Sequence, residues 1–202
     1  MRGISRIRRT CTAIVQGLRR RRLNLLPGVK IARGCWIAPS ARFRPHPDGW
    51  TPGGTIQVQS GCRISDGVVL APWGGSIRLD ENVYVGPYCV LYGHGGLTIG
   101  PNTLIAPHAV LVAANHLFDR LDRPIGQQGH SALGIAIGRD VWIGSGARIL
   151  DGVEIGDGCV VAAGAVVTRS LQPLSVAVGV PATVVRTRGP GEPREQLALA
   201  QA

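Results

Sequence analysis

The sequence is poor in several residue types that usually announce a function. It holds only four Trp, three Tyr and two Phe in 202 residues, with a single Met and five Cys that never fall in a CxxC pair. No acidic residue occurs in residues 1–30, and the chain has only 12 Asp and Glu in all. So few aromatics leave no stacking platform for a nucleic acid. Scattered cysteines without CxxC spacing argue against a catalytic thiolate or a disulfide framework, and imply a reducing compartment. No run of residues approaches the roughly 18 apolar positions needed to span a bilayer, and the N-terminus lacks the apolar core of a secretory signal. A soluble, cytoplasmic protein is the expectation. The net charge of +10 does not change this, because nine of the 22 Lys and Arg lie in residues 1–30 and leave the body almost neutral. No nucleic-acid partner is expected.

What the chain has in quantity is Gly, 29 of them, with 14 Pro among abundant Ala, Val, Ile and Leu. That is the composition of short apolar strands joined by tight turns. From Ile137 an apolar residue returns at every sixth position: Ile143, Ile149, Ile155, Val161, Val167. Neither a helix nor an alternating strand has that period. Four places after each comes a small or apolar residue: Val141, Ala147, Val153, Cys159, Ala165, Leu171. Both positions must point inward if each hexad is one short strand and one turn, with three hexads closing a triangular coil.

The ladder continues upstream as Ile31, Ile37, Phe43; Val58, Ile64, Leu70; Leu79, Val85, Leu91; and Ile99, Ile105, Leu111. The interruptions, residues 49–57, 76–78, 97–98 and 117–136, all follow the third hexad of a set, so every insertion leaves the same corner. The expected fold is all-β: a parallel β-helix of about six triangular coils over residues 31–188. Cys35, Cys62, Cys89 and Cys159 take the inward fourth offset and are read as buried core thiols.

Residues 1–30 read as a basic amphipathic helix. Ile4, Ile7, Cys11, Ile14, Val15 and Leu18 form a stripe bordered by Arg6, Arg8, Arg9 and the run Arg19 to Arg22. Such a helix would cap the open first coil or make peripheral contact with a membrane through residues 1–22, at its inner face. An organellar transit peptide has a similar composition. Residues 189–202 read as a disordered tail.

The stretch DVWIGSGARILDGVEIGDGCVVAAGAVVTRSL from Asp140, followed by VAVGVPATVVR to Arg186, resembles the hexapeptide-repeat acyltransferase superfamily. Upstream, NVYVGPYCVLYGHGGLTIGPNTLIAPHAVLVAANHLFD is similar to the same superfamily. Polysaccharide O-acetyltransferases are the nearest in kind, then the maltose and galactoside acetyltransferases. This resemblance, and not general topology, implies a left-handed helix, since parallel crossovers are normally right-handed. It also implies a homotrimer, acetyl-CoA as acyl donor, no metal, and a sugar or glycan acceptor.

His116 closes the third hexad of its coil just before the longest insertion, and Asn115 takes an inward position that other coils give to something small or apolar. A break in a local rule of this kind is expected at a functional site. In the superfamily the matching His is the catalytic base, and imidazole suits proton removal from a hydroxyl near neutral pH. A backbone amide around Gly144 or Ser145 would stabilise the oxyanion. Matching positions assign Trp142, Gly144, Ser145, Ala162 and Ala163 to the pantetheine arm of the donor, and Thr168, Arg169 and Arg186 to its nucleotide end. An Asn and an Asp beside the acceptor in the galactoside enzymes are replaced here by Gly86 and His94, so the acceptor is not expected to be that sugar. With Asn115 these two form the candidate acceptor side. The insertion LFDRLDRPIGQQGHSALG adds polar side chains suited to a hydroxyl-rich ligand.

Two rival readings stand beside this one. A γ-class carbonic anhydrase uses the same helix but needs three His ligands around zinc. His94, His108 and His116 are the candidates, yet the closely spaced His pair of that class is missing. A non-catalytic β-helix scaffold is the other rival.

Overall fold

The computed structural model describes residues 2–46 and 52–189, with side chains from residue 13 onward. A helix, α1 (Arg2–Leu23), leads into a prism of parallel strands. Three sheets form its faces. Face A stacks Val29–Ile31, Thr55–Val58, Ser76–Leu79, Leu97–Ile99, Ile135–Ile137 and Glu154–Ile155. Face B stacks Trp36–Ile37, Arg63–Ile64, Tyr84–Val85, Leu104–Ile105, Trp142–Ile143, Val160–Val161 and Ser175–Val178. Face C runs from Arg42–Phe43 through Val69–Ala71, Val90–Tyr92, Val110–Val112 and Arg148–Ile149 to Val166–Val167.

The register follows the hexapeptide count: Ile31 pairs with Val58, Val58 with Leu79, Leu79 with Ile99, Ile99 with Ile137, and Ile137 with Ile155. Six coils close. A partial seventh begins with the bridge of Ile155 to Leu171 and ends when Thr183–Thr187 turns back antiparallel along Ser175–Val178. That reversed strand covers an edge that would otherwise be open at the top of face B.

Both inward offsets are buried along the ladder except at the fourth offset of some third hexads, Gly74, Gly95 and Asn115, and they form one apolar column through the prism. The four cysteines lie in it, each thiol donating to a corner carbonyl: Cys35 to Gln59 O, Cys62 to Asp80 O, Cys89 to Ala106 O and Cys159 to Gln172 O, at 3.0–3.1 Å. Thr103 plays the same part, donating to Gly138 O at 2.9 Å. A weak or hydroxyl donor at the fourth offset thus satisfies a turn carbonyl that the ladder cannot reach.

Two details differ from expectation. Residues 76–78, 97–98 and the last residues of the two longer insertions belong to face A strands, which are longer than the hexad allows. They add a second inward row, Val29, Ile56, Ile77, Leu97 and Ile135, and the loops proper sit just before them. Asn115 does not point inward. The chain leaves the prism after buried Ala113, and Asn115 is exposed.

At the N-terminus, the first strand begins at Val29, ahead of the expected boundary at residue 31. α1 lies across the open first coil through polar side chains. Gln16 Oε1 accepts from Ile37 N at 2.9 Å, and Arg19 Nη2 donates to Pro39 O at 2.7 Å. Asn24 pairs with both backbone groups of Ile31. The stripe positions Ile4, Ile7 and Cys11 lie outside the described side chains. So does the tail expected at residues 189–202, apart from Gly189.

Candidate active site

Face B and its corner with face C carry a groove of about 660 Å³. Its floor is a column of outward side chains from four successive coils, Leu104, Trp142, Val160 and Val176, brought into line by the parallel register. Gly144, Ser145, Ala162 and Ala163 form one wall where the chain turns toward face C. At the other wall stand Arg186 and Arg188 beside Asp140. The wall is low because it must be: a Cβ on Gly144 would sit 2.5 Å from Ala163 N, so the stacking of coils itself requires glycine there.

Six residues assigned to the donor therefore meet in one cavity, namely Trp142, Gly144, Ser145, Ala162, Ala163 and Arg186. Thr168 and Arg169 do not join them. They stand exposed beyond the last face C strand, around the next corner. Arg188, which sequence reasoning missed, reaches Asp140 Oδ2 at 2.8 Å and Gly158 O at 3.2 Å. It lies two residues past Arg186, at the very end of the expected β-helix domain and beyond the stretch that carries the resemblance. Gly144 N donates to Val161 O at 2.8 Å within the ladder, so it is not free to stabilise an oxyanion. Ser145 remains as the candidate amide.

His116 lies elsewhere, at the corner between faces C and A. Asn115–His116 forms a two-stranded antiparallel arm with His130–Ser131, which sets His116 opposite His130 and Asn115 opposite Ser131. Asp151, from the next coil, anchors the returning strand: its carboxylate accepts from Leu133 N and Gly134 N at 2.9 Å and from Ser131 Oγ at 3.1 Å. Asp157 accepts from Arg139 N in the same way one corner on. The recurring Asp-Gly of LDGVEIGDG is the sequence signal for both. Within the loop, Gln128 holds Arg120 at both backbone groups, while Leu117, Phe118, Leu121 and Ile125 are exposed.

His94 is not a free turn side chain. Its ring stacks on Trp73, with centroids 5.6 Å apart and planes 9° from parallel, and meets His130 edge-on at 5.7 Å. Burial first, then the neighbouring His130, holds its pKa below the ordinary value, with Asp151 opposing and His116 adding to the depression. His94 Nδ1 and Trp73 Nε1 are both buried without a hydrogen-bond partner. Gly86 lies at the corner of faces B and C, away from this cluster, where a Cβ would come within 2.8 Å of Ile105 O; close packing accounts for it. His108 also occupies that corner, stacked on Tyr88, so His94, His108 and His116 do not converge. Among the described residues no group of three or more His, Cys, Asp or Glu could hold a metal ion.

Residues 134–169 match the family described as bacterial transferase hexapeptide (six repeats). The galactoside O-acetyltransferase of Escherichia coli K12 is 38% identical over 118 residues, covering 58% of this chain and 57% of that protein. A putative acetyltransferase of Saccharomyces cerevisiae is 35% identical over 127 residues, covering 60% and 64%. The chain thus spans less than two thirds of the length of these relatives. Among solved structures, AntD, an N-acyltransferase from Bacillus cereus in complex with dTDP and 3-hydroxybutyryl-CoA, matches with a TM-score of 0.66 at 21% identity over 85% of this chain and 87% of its own. Galactoside acetyltransferase in complex with coenzyme A matches with a TM-score of 0.52 at 24% identity over 79% and 64%. These likenesses carry the fold. Residues 134–169 thus carry the repeat of that family, and repeat, coils and solved structures agree on a left-handed β-helix.

Proposed function

We propose that this protein transfers an acyl group, acetyl first among candidates, from a coenzyme A thioester to a hydroxyl of a sugar or polysaccharide, as a homotrimer with its sites between chains. The groove carries this reading. It has an apolar floor, low walls of small residues and two arginines at one end, which is the shape and charge required by a long pantetheine arm ending in phosphates.

His116 takes the proton of the acceptor hydroxyl as the hydroxyl oxygen bonds to the thioester carbonyl carbon. The carbon–sulfur bond then breaks, and the proton passes to the departing sulfur, giving an O-acyl sugar and free coenzyme A thiol. Ser145 N, at the groove wall, serves the oxyanion. Asn115, His94 and the arm around His130 line the acceptor side, while Thr168 and Arg169 serve the donor held against a neighbouring chain. Within one chain His116 and the groove occupy different corners of the prism, so His116 must serve the groove of a neighbour. The exposed Leu117, Phe118, Leu121 and Ile125 give the projecting loop an apolar surface for that neighbour to cover. Placement in the cytoplasm follows from the donor and belongs to the same proposal.

The test is thiol release from acetyl-CoA against a panel of sugars and oligosaccharides, repeated with mixed oligomers. Acceptor-dependent release should appear in wild type. It should vanish in His116→Ala and return in part when His116→Ala chains are mixed with Trp142→Ala chains, because the mixture re-forms intact two-chain sites. Coenzyme A binding without release for any hydroxyl acceptor would favour the scaffold reading instead.

A further inference from the structure

We propose that α1 docks the protein on an anionic lipid surface through the side it turns away from the coils. An amphipathic helix on a globular protein normally buries its apolar stripe and wets its polar one. Here the arrangement is reversed. Gln16, Arg19 and the partly buried Leu23 face the first coil, and the first two hold its backbone groups. At about 100° per residue, Ile14 and Leu18 fall on the opposite side, and Val15 falls on the flank between Leu18 and Arg19. Ile14, Val15 and Leu18 are 58%, 58% and 60% exposed, and Leu25 beyond the helix is 83% exposed.

The charges identify the occupant. Arg21 and Arg22 are exposed and fall at the borders of the apolar side on the same helical wheel, and residues 1–30 contain no acidic residue. A second copy packed through this face would bring its own arginines against these, which like-charge repulsion opposes. A surface that is apolar beneath and negative at the rim satisfies both features, and that is the boundary of an anionic bilayer. In the sequence the apolar stripe continues through Ile4, Ile7 and Cys11. Capping the coil and docking on lipid use opposite sides of α1, so the two roles coexist.

The experiment uses the full chain with vesicles of phosphatidylcholine mixed with phosphatidylglycerol, and pure phosphatidylcholine as control, read by co-sedimentation. Wild type should bind the mixed vesicles and leave the neutral ones. Ile14→Asp/Leu18→Asp should bind roughly tenfold more weakly or worse, with an unchanged melt; the milder Ile14→Ser/Leu18→Ser pair guards against misfolding. Arg21→Glu/Arg22→Glu should lose the preference for mixed vesicles. Wild type that ignores both vesicle types would overturn the proposal. So would apolar-face variants that bind as well as wild type, or that change the hydrodynamic size of the protein, since the face would then be a protein contact. None of these readouts depends on acyl transfer.

Discussion

The corner between faces B and C turns in the same way on coil after coil, whereas the corner between faces C and A does something different at almost every level. At the first, a few small residues recur at fixed spacing, and the groove wall is a consequence of coils stacking closely enough to exclude a Cβ at Gly144. At the second, the chain leaves and returns in loops of different length, and the longest lifts His116 off the prism onto an arm. The difference is affordable because both edges of the loop are fixed: Ala113 and Ile135 are buried, and Ile135 pairs in register with Leu97. Loop closure then costs only a slowly growing entropy, about (3/2)RT ln n. A repetitive corner thus supplies a long groove, and an irregular corner supplies a separately adjustable arm, which the proposed function assigns to donor and acceptor.

The sharpest way to break that comparison is at His116. Its side chain is exposed and contributes no core contact, so His116→Ala should reduce acyl transfer by about 10²- to 10⁴-fold while the melt and coenzyme A affinity stay as in wild type. Activity assays beside calorimetry would check it. Full turnover in the variant would detach the irregular corner from the chemistry.

The reverse outcome is expected in the regular column. Leu111→Ala, at a fully buried hexad position beside the loop, should cost about 2–5 kcal/mol in stability. Denaturant midpoints would show it, and a cost near zero would mean that the coil beneath His116 is not held as the register implies.

How much of this was legible follows the same division. Six coils, their register, the insertion corner and the buried cysteines could all be read because a six-residue period fixes which side chains face inward. Six of the eight residues assigned to the donor also meet in one groove; five ride on that period, and Arg186 comes from the reversed strand. The reading failed where the period stops. Asn115 was counted as inward because the hexad was continued one strand too far, through a chain that had already turned outward after Ala113. The stack of Trp73, His94 and His130 was invisible, because those residues are far apart in sequence and meet only through loops of unequal length. The second inward row of face A was available as plain alternation, in SIRL and IAI, but had been assigned to insertions.

A smaller effect tests the column chemically. Burial pushes the Cys89 thiol up to about 11, and its hydrogen bond to Ala106 O is internal. Iodoacetamide at pH 8 should therefore leave Cys89 unmodified in the folded protein, because almost none of it is thiolate. Cys89→Ala should cost on the order of 1 kcal/mol through a small cavity and leave turnover intact. Loss of turnover without a change in melt would contradict its place in the core.

The smallest expected effect belongs to His94 and concerns pH. Its ring is stacked on Trp73 with His130 edge-on to it, and burial keeps its folded pKa below the ordinary 6.5. In the unfolded chain the same ring takes up a proton as pH falls through about 6.5, while in the folded chain it resists until a lower pH. The unfolded state therefore binds more protons in that window, and stability declines as pH falls from about 6.5 toward the folded value, then levels off beneath it. His94→Gln keeps a polar planar group but removes the titration, so thermal midpoints recorded from pH 8 down to 5 should fall less steeply than in wild type. A slope identical to wild type would show that His94 exchanges its proton freely with water, and the cluster at the irregular corner would then be no better shielded than an ordinary surface turn.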